Sequence, residues 1–375
     1  MSEPTAGGGV HQFVPMLHIG DAVGQHTVAV REELRSRGVP SEIYVELDDP
    51  ETAEQTRPAS SYPARACPGD VLVYQFATAS DLADLLMSRP ERLVVNYHNI
   101  TPPELFAPWD NGLARHQARA QQELARLAGR ARLGVAVSEV NRADLVAAGF
   151  ADTAVTPPIV KLPADVRGEG GGGDGDGDDG GAGEGRPPRA KGARWLAVGR
   201  LAPNKAVEDT VAALLAYRAR HDSEAELLVV GKPALAGYVG ALHRYAADLG
   251  LADAVRFAGK VSEADLGRAY AEADVLVVSS EHEGYCLPVV EAMARGLPVV
   301  AFREGALPEV LGAAGVLMGT KDPVAMADAV HRVQTDVAWR AQLVRAGRER
   351  VPALGLADAG QRLADVLLQV RDRPS

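Results

Sequence analysis

Residues 274–301 of the chain read DVLVVSSEHEGYCLPVVEAMARGLPVVA. The run Val275 to Val278 is apolar and rich in β-branched side chains, which is typical of a parallel strand buried on both faces. Pro288 suits the first position of a helix, where its missing N–H would have no helical partner, and Gly296 suits the position just past the helix end. This stretch therefore predicts a buried strand, a turn, a short helix and a second strand.

Two carboxylates, Glu283 and Glu291, flank the predicted turn. The N–H groups of residues 285–287 would lie at the helix N-terminus, in the crevice beyond the strand's carboxyl end, where a phosphate is favoured. Carboxylates repel a phosphate, so sugar hydroxyls, which donate hydrogen bonds, are the natural ligands of this pair. Taken singly, either glutamate would equally suit a solvated surface.

The gapless pattern E-G-aromatic-x-L-P-x-x-E-A-M-A-x-G-x-P-V-V-A, from Glu283 to Ala301, resembles the signature of retaining, nucleotide-sugar-dependent glycosyltransferases of family 4. Cys286 stands where that family more often has glycine. The resemblance implies an α/β chain with the GT-B fold: two Rossmann-like, doubly wound parallel-sheet domains facing a cleft. It also implies that no enzyme carboxylate acts as nucleophile and that the leaving diphosphate takes the acceptor's proton.

A second segment, residues 194–205, reads RWLAVGRLAPNK and predicts a strand, a glycine turn and a helix start. It resembles the G-R-L…K element of the same family, which implies that Arg200 and Lys205 hold the donor diphosphate. Fixed cations lower the barrier most where negative charge develops, as it does on a leaving diphosphate. Without the glutamate pair, two ordinary surface cations would be the simpler interpretation. Ala206 follows where the family often has glycine.

A third segment, residues 93–103, reads LVVNYHNITPP and resembles the Y-H-N-I-T-P element of a bacterial subset of these enzymes. The resemblance implies that His98 lies beside the donor sugar, although a lone histidine at a strand end is more often structural. Residues 11–15 predict the first strand, and the loop 18–26 resembles the family's acceptor-side loop. No Gly-x-Gly-x-x-Gly fingerprint is present, so the main sequence signal of a dinucleotide-binding dehydrogenase is missing.

Together these segments predict three sets of site residues. The catalytic set is Arg200, Lys205, Glu283 and His98. The donor-binding set is Gly199, Val261, Gly284, Tyr285, Cys286, Leu287 and Glu291. The acceptor-side set is Gly20, Asp21, Gly24 and His26.

No cofactor or metal is expected beyond the substrate, a nucleoside-diphosphate sugar in its UDP or GDP form. Asp48 and Asp49 precede a proline and suit a turn. Asp174, Asp176 and Asp178 have the initial spacing of an EF-hand calcium loop. That loop needs glycine at its sixth and glutamate at its twelfth position, and the chain has aspartate and glycine there.

Composition limits the class of protein. A chain of 375 residues predicts two domains, and 50 acidic against 39 basic residues, a net charge of -11, argue against nucleic acid as a partner. The two cysteines, Cys67 and Cys286, fall in different predicted domains, so a disulfide framework is not expected and a reducing cytoplasm fits. The amino terminus does not resemble a signal peptide, and no apolar run approaches ~18 residues.

The predicted domains are 1–160, on the acceptor side, and 194–352, which binds the nucleotide sugar. Strands are expected near 11–15, 41–46, 70–76, 92–98, 133–138 and 153–156, and then near 194–199, 226–231, 255–259, 274–279, 298–301 and 316–318. Between the domains, residues 161–193 are predicted to be a flexible linker, because the Gly/Asp-rich run 167–185 holds nothing larger than Ala182 to bury. By the resemblance, a helix within 353–375 crosses back to the first domain.

A predicted helix over 112–132 carries Arg115, Arg119, Arg126 and Arg130 at helical spacing. This basic face could rest weakly on anionic lipid at the inner face of a membrane, and a solvated helix surface is the simpler alternative.

The sequence therefore predicts a metal-independent, retaining glycosyltransferase that moves a sugar to an acceptor hydroxyl in glycan or natural-product biosynthesis. A GT-B epimerase or phosphorylase, and a catalytically silent sugar-nucleotide sensor, are the alternatives. The acceptor is not indicated.

Overall fold

The computed structural model describes residues 8–18, 20–160, 189 and 191–373. The chain forms two compact units, the first within Met1–Lys161 and Gly355–Ser375 and the second within Leu162–Leu354. Apart from residues 189 and 191–193, the predicted linker 161–193 lies outside the described residues, and so does the run 167–185 with its calcium-loop alternative.

Unit 1 contains a seven-stranded parallel sheet. Its strands are β1 (Val10–Val14), β2 (Ile43–Val45), β3 (Arg57–Pro58), β4 (Val71–Phe76), β5 (Arg92–Tyr97), β6 (Leu133–Ala136) and β7 (Thr153–Val155). Their spatial order is β3-β2-β1-β4-β5-β6-β7. The sequence predicts all of these strands except β3, which has two residues and lies at the sheet edge, where a proline is tolerated.

The described helices of unit 1 cover both faces of this sheet, as expected for parallel strands. They are α1 (Ala22–Ser36), α2 (Leu82–Met87), α3 (Pro103–Phe106), α4 (Asn111–Ala128), α5 (Glu139–Ala147) and α13 (Ala359–Asp372), with 3-10 turns at Ala53–Gln55 and Ala59–Ala64. The helix predicted over 112–132 is thus α4, preceded by the separate turn α3.

The last helix, α13, completes the core of unit 1. Leu363 and Leu367 are fully buried in a cluster that includes Val10, Val71 and Val94 of the sheet. Three central strands therefore pack against a segment that follows them by more than 200 residues in the chain.

Unit 2 contains a six-stranded parallel sheet. Its strands are β8 (Arg194–Val198), β9 (Glu226–Val230), β10 (Val255–Gly259), β11 (Val275–Val278), β12 (Val299–Phe302) and β13 (Val316–Met318). Its helices are α6 (Val207–Arg220), α7 (Ala236–Asp248), α8 (Glu263–Glu272), α9 (Leu287–Ala294), α10 (Leu307–Leu311), α11 (Pro323–Thr335) and α12 (Val337–Ala353), with a 3-10 turn at Pro203–Lys205. The strand order is β10-β9-β8-β11-β12-β13, so the direction of winding reverses between β8 and β11.

Local signals in the sequence place several helix ends. Ser262 caps α8, with its side chain accepting from the N–H of Asp265, and Asp322 caps α11 ahead of Pro323. Gly296 follows α9 with φ 68°, the left-handed conformation expected of a glycine after a helix. The loop expected over 18–26 is shorter than predicted, because α1 begins at Ala22 and contains Gly24 and His26.

The basic face of α4 lies at the surface of unit 1, with Arg115, Arg119 and Arg126 exposed. Arg119 pairs with Asp81 and Glu123, and Arg126 pairs with Asp84. Arg130 donates to the carbonyls of the turn that follows α2. Three of the four arginines therefore have partners within unit 1. In the part of the chain that the structure describes, no helix has the length and apolar character needed to cross a membrane.

Candidate functional site

The central feature of unit 2 lies where its winding reverses. The turn after β8 carries Arg200 and Lys205, and the turn after β11, the neighbouring strand, carries Glu283. Parallel strands end at the same edge of a sheet, and ligands of doubly wound sheets bind at this reversal point. The Nζ atom of Lys205 lies 2.5 Å from Oε1 of Glu283. Two residues separated by 78 positions in the chain thus form an ion pair at this edge.

Short polar contacts hold the two turns together. The hydroxyl of Ser279, just past β11, donates to the carbonyl of Ala206 at 2.7 Å. The side-chain amide of Asn204 donates to the carbonyl of His282 at 3.2 Å, and the N–H of Glu281 donates to the carbonyl of Asn204 at 2.8 Å. The Lys205–Glu283 pair is therefore positioned by backbone contacts on both sides.

The ion pair keeps Lys205 charged. Burial by itself would lower the pKa of Lys205, but the charge of Glu283 and its hydrogen bond with Lys205 outweigh that effect, so the pKa is raised. Burial and the adjacent Glu283 raise the pKa of the Cys286 thiol well above its usual value, so the sulfur stays protonated. The turn therefore offers a fixed cation and a neutral thiol.

Glycines allow the backbone to approach closely at this edge. A Cβ on Gly305 would lie 2.4 Å from the carbonyl oxygen of Glu283, which accepts from the N–H of Ala306. Gly199, predicted from the glycine turn, has φ 153°, and a Cβ there would lie 3.3 Å from Cε of Lys205. Gly305 requires glycine because a Cβ would displace the backbone of Glu283, and Gly199 favours glycine because other residues rarely adopt its φ.

Two residues that replace the expected glycines adopt left-handed backbone conformations. Cys286, the N-cap of α9, has φ 69° and ψ 69°, and Ala206, the N-cap of α6, has φ 44° and ψ 49°. Left-handed conformations cost non-glycine residues roughly 1–2 kcal/mol. Ala206, next to Lys205, and Cys286, in the turn that contains Glu283, thus keep the backbone shape of a glycine-containing turn without the glycine.

The second carboxylate, Glu291, lies on α9 in a partly buried position. Burial raises its pKa, and a hydrogen bond from the hydroxyl of Tyr270 together with the charge of Arg295 only partly offsets that rise. The guanidinium of Arg295 lies 4.9 Å from the centre of the Tyr270 ring. Glu291 is consequently a partly desolvated carboxylate.

The remaining predicted residues of unit 2 lie on the same turns. Arg200 is exposed, close enough for its charge to act on Lys205, and has no hydrogen-bond or ion-pair partner among the described residues. Gly284 and Tyr285 belong to the turn that leads into α9, and Leu287 is the first residue of that helix. Val261 follows β10 at the outer end of the sheet, two strands away from β8.

In unit 1, the predicted residue His98 directly follows β5 and is partly exposed. Its Nε2 lies 2.6 Å from Oε1 of Gln75, and burial lowers its pKa to about 4. Gln75 and its neighbours Gln12 and Asn96 are fully buried in β4, β1 and β5. His98 is thus the outermost member of a polar network inside the sheet.

The acceptor-side residues predicted in unit 1 have structural roles. Asp21 caps α1 by accepting from the N–H of Gly24 at 2.7 Å. A Cβ on Gly24 would lie 1.8 Å from the carbonyl of His18, so only glycine fits. His26 is 1% exposed and packs edge-on against His98 at 4.9 Å. Gly20 is the exposed residue next to Asp21.

Sequence reasoning missed the residues that support the site. Gln12, Gln75 and Asn96 are polar side chains within buried, otherwise apolar strands, and this exception to the pattern was the available signal. Ser279 and Tyr270 carry no comparable signal, because their roles depend on contacts with residues distant in the chain. Across residues 8–18, 20–160, 189 and 191–373, no group of three or more His, Cys, Asp or Glu side chains could hold a metal ion.

Comparison with known proteins defines the class. Residues 192–336 match the family Glycosyl transferases group 1. The chain is 35% identical over 167 residues to D-inositol 3-phosphate glycosyltransferase of Frankia alni, a match covering 43% of this chain and 41% of that protein. It is 38% identical over 113 residues to MMP alpha-(1->4)-mannosyltransferase of Mycolicibacterium hassiacum, covering 30% of this chain and 26% of that protein. The chain thus matches less than half the length of these curated relatives.

Solved structures share the fold over nearly the whole chain. Sucrose-phosphate synthase of Thermosynechococcus elongatus superposes with a TM-score of 0.71 at 20% identity, covering 96% of this chain and 99% of that one. Anabaena HepE, in complex with UDP and glucose, gives 0.70 at 19% identity with the same coverage. The two parallel-sheet units therefore have the GT-B fold of glycosyltransferases, and the predicted fold class is confirmed.

Proposed function

We propose that this protein is a retaining glycosyltransferase that moves a sugar from a nucleoside-diphosphate sugar, in its UDP or GDP form, to an acceptor hydroxyl without a metal ion. The observation that carries the proposal is the Lys205–Glu283 pair at the winding reversal of unit 2, with Arg200 exposed beside it. Cytoplasmic location and a role in glycan or natural-product biosynthesis belong to the same proposal.

The roles follow from charge and geometry in unit 2. Arg200 and Lys205 stabilise the negative charge that develops on the leaving diphosphate, aided by the N-terminus of α9. Glu283, already oriented by Lys205, accepts hydrogen bonds from the donor sugar. Glu291 accepts from the ribose hydroxyls, because a partly desolvated carboxylate forms strong hydrogen bonds to O–H donors.

Metal independence has a physical basis in the same groups. A diphosphate that departs beside two cations and a helix N-terminus is neutralised by the protein itself. Turnover of the cognate donor should therefore continue in excess EDTA. Complete loss of turnover that a divalent ion restores would contradict this part of the proposal.

The decisive experiment separates a transferase from a silent sensor. Thermal-shift screening against nucleoside diphosphates and their sugars identifies the donor, because a ligand that binds only the folded state raises the melting temperature. The selected donor is then incubated without acceptor. Slow donor hydrolysis that Lys205→Ala abolishes supports the transferase, whereas binding without any hydrolysis or transfer supports the sensor.

Stereochemistry is tested on the product. Once an acceptor is found, proton NMR of the new glycosidic linkage reports the anomeric configuration. The same configuration as in the donor is expected, and an inverted linkage would rule out the retaining mechanism.

A further inference from the structure

In the polar network of unit 1, one backbone carbonyl determines which end of each side-chain amide donates and which end accepts. The backbone oxygen of Thr27 can only accept, so the group of Gln12 that faces it at 2.9 Å is the NH2 group. Oε1 of Gln12 then faces the NH2 group of Gln75 at 2.6 Å. Gln12 and Gln75 are fully buried, so neither amide can exchange partners with water.

This order of donors and acceptors extends to His98 through Gln75. With its NH2 group committed to Gln12, Gln75 presents Oε1 both to the NH2 group of Asn96 at 2.9 Å and to Nε2 of His98 at 2.6 Å. A carbonyl oxygen only accepts, so Nε2 of His98 carries a proton. His98 is neutral at pH 7 because burial lowers its pKa to about 4, and its Nδ1 therefore has no proton.

His26 introduces an opposing requirement. The NH2 group of Asn96 lies 2.7 Å from its Nε2, and the backbone N–H of Ile159 lies 3.0 Å from its Nδ1. A neutral imidazole has one acceptor nitrogen, so it cannot satisfy both donors. If the N–H of Ile159 donated to Nδ1 of His26, the proton of His26 would lie on Nε2. The side-chain amides of Asn96 and Gln75 would then both have to exchange the positions of their oxygen and NH2 group.

The physical cost decides between the two arrangements. Turning the amides would bring the oxygens of Gln12 and Gln75 to 2.6 Å from each other in a fully buried position. Leaving them as they are places the mismatch at the N–H of Ile159, a residue that is only partly buried. Uncompensated polar contacts are most costly in the interior, so the amide orientations fixed by the carbonyl of Thr27 are the favoured ones.

We infer that Gln12 and Gln75 are positioning residues that hold His98 as its Nε2–H tautomer, so that its Nδ1 only accepts and selects a ligand hydroxyl over a carboxylate or phosphate oxygen. This inference rests on the proposed function for the identity of the ligand, a hydroxyl of the sugar nucleotide. No described residue bonds Nδ1 of His98, which leaves this lone pair for a ligand. If the sugar nucleotide carried a carboxylate in place of that hydroxyl, the carboxylate oxygen and Nδ1 of His98 would both be acceptors. Such a ligand would bind poorly.

The first test needs no substrate. Long-range proton–nitrogen NMR of the full-length, histidine-labelled protein at pH 7 reports which ring nitrogen carries the proton, and His98→Gln identifies the signal. A protonated Nε2 is expected for the wild type. Gln75→Leu should shift His98 towards the other tautomer. A wild-type His98 protonated at Nδ1 would overturn the inference, whatever the enzyme's activity.

The second test uses the cognate donor. Gln75→Leu should lower kcat/KM about 10-fold, the equivalent of one neutral hydrogen bond. The wild type should discriminate against the matching uronic-acid nucleotide, and Gln75→Leu should lose part of that discrimination. Equal discrimination in both proteins would overturn the selective role of His98. Absence of turnover with every nucleotide sugar would instead reject the proposed function and leave the NMR result intact.

Discussion

At the scale of single residues, the Lys205–Glu283 ion pair contributes both to the stability of the fold and to the charge of the candidate site. Its side chains are 20% and 7% exposed, so removing one partner leaves the other poorly solvated. We expect Lys205→Met to reduce the free energy of unfolding by roughly 3 kcal/mol, since an uncompensated buried charge is expensive.

The double variant Lys205→Met/Glu283→Gln separates the two roles. It should recover much of the stability, because no buried charge remains, but turnover should stay lost. Denaturant titration and donor hydrolysis on the three variants measure the coupling. Additive losses of stability would show that the two side chains do not interact.

From the raised pKa of Glu291 we expect the affinity for the donor to depend on pH. Its pKa is raised by burial, and only the carboxylate form can accept from two ribose hydroxyls. Affinity should therefore be full above this raised pKa and fall as the pH drops through it, at a higher pH than for a solvated glutamate. Calorimetric titrations of the nucleoside diphosphate across acidic pH provide the measurement.

Glu291→Gln is the control for that titration. It should bind the nucleotide more weakly and with little pH dependence in this range. A parallel acid profile in wild type and variant would assign the titration to another group.

At the scale of elements, the start of α9 depends on a left-handed residue. Cys286→Gly should keep the turn and most of the turnover, because glycine adopts φ near 69° without strain. Cys286→Val should lose about 1–3 kcal/mol of stability and much of the activity, since a β-branched residue is poorly tolerated there. Cys67→Val, at an exposed cysteine outside any left-handed turn, is the matched control. Equal stability of the two valine variants would contradict this account.

The C-terminal helix α13 is an integral part of unit 1. Leu367 is fully buried against its sheet, so Leu367→Ala should cost about 2–5 kcal/mol in the unfolding of that unit. Gln369→Ala, on the exposed face of the same helix, should change stability by less than about 0.5 kcal/mol. Urea unfolding followed by circular dichroism compares them, and similar curves would show that α13 is dispensable.

At the scale of the whole molecule, the sequence makes one prediction that lies outside the described residues. The run 168–185 contains no apolar side chain larger than alanine. Replacing it with a short Gly/Ser linker should leave melting temperature and turnover nearly unchanged, because no apolar packing is removed and long loops cost little to close. A large fall in turnover at unchanged stability would assign the segment a functional role.

Much of the chain could be predicted because its signals are local. The apolar strands, the caps at Ser262 and Asp322 and the glycine after α9 depend on neighbours within a few residues, and the structure has each of them. Alternation of strands and helices is enough to indicate doubly wound sheets. The strand β3 was missed because two residues carry no periodicity.

The sequence by itself determined the fold class, the strand-to-helix turns and the residue types near Glu283, His98 and Lys205. Only the tertiary structure decided that Lys205 meets Glu283, that Arg126 of α4 pairs with Asp84 of α2, and that Gln75 fixes the proton of His98. These contacts join residues from 23 to 78 positions apart, and the folded sheets and the helices that cover them bring these residues together. A pattern read along the chain records how each residue relates to its neighbours, whereas ion pairs and tautomers depend on distances that exist only after the sheets form.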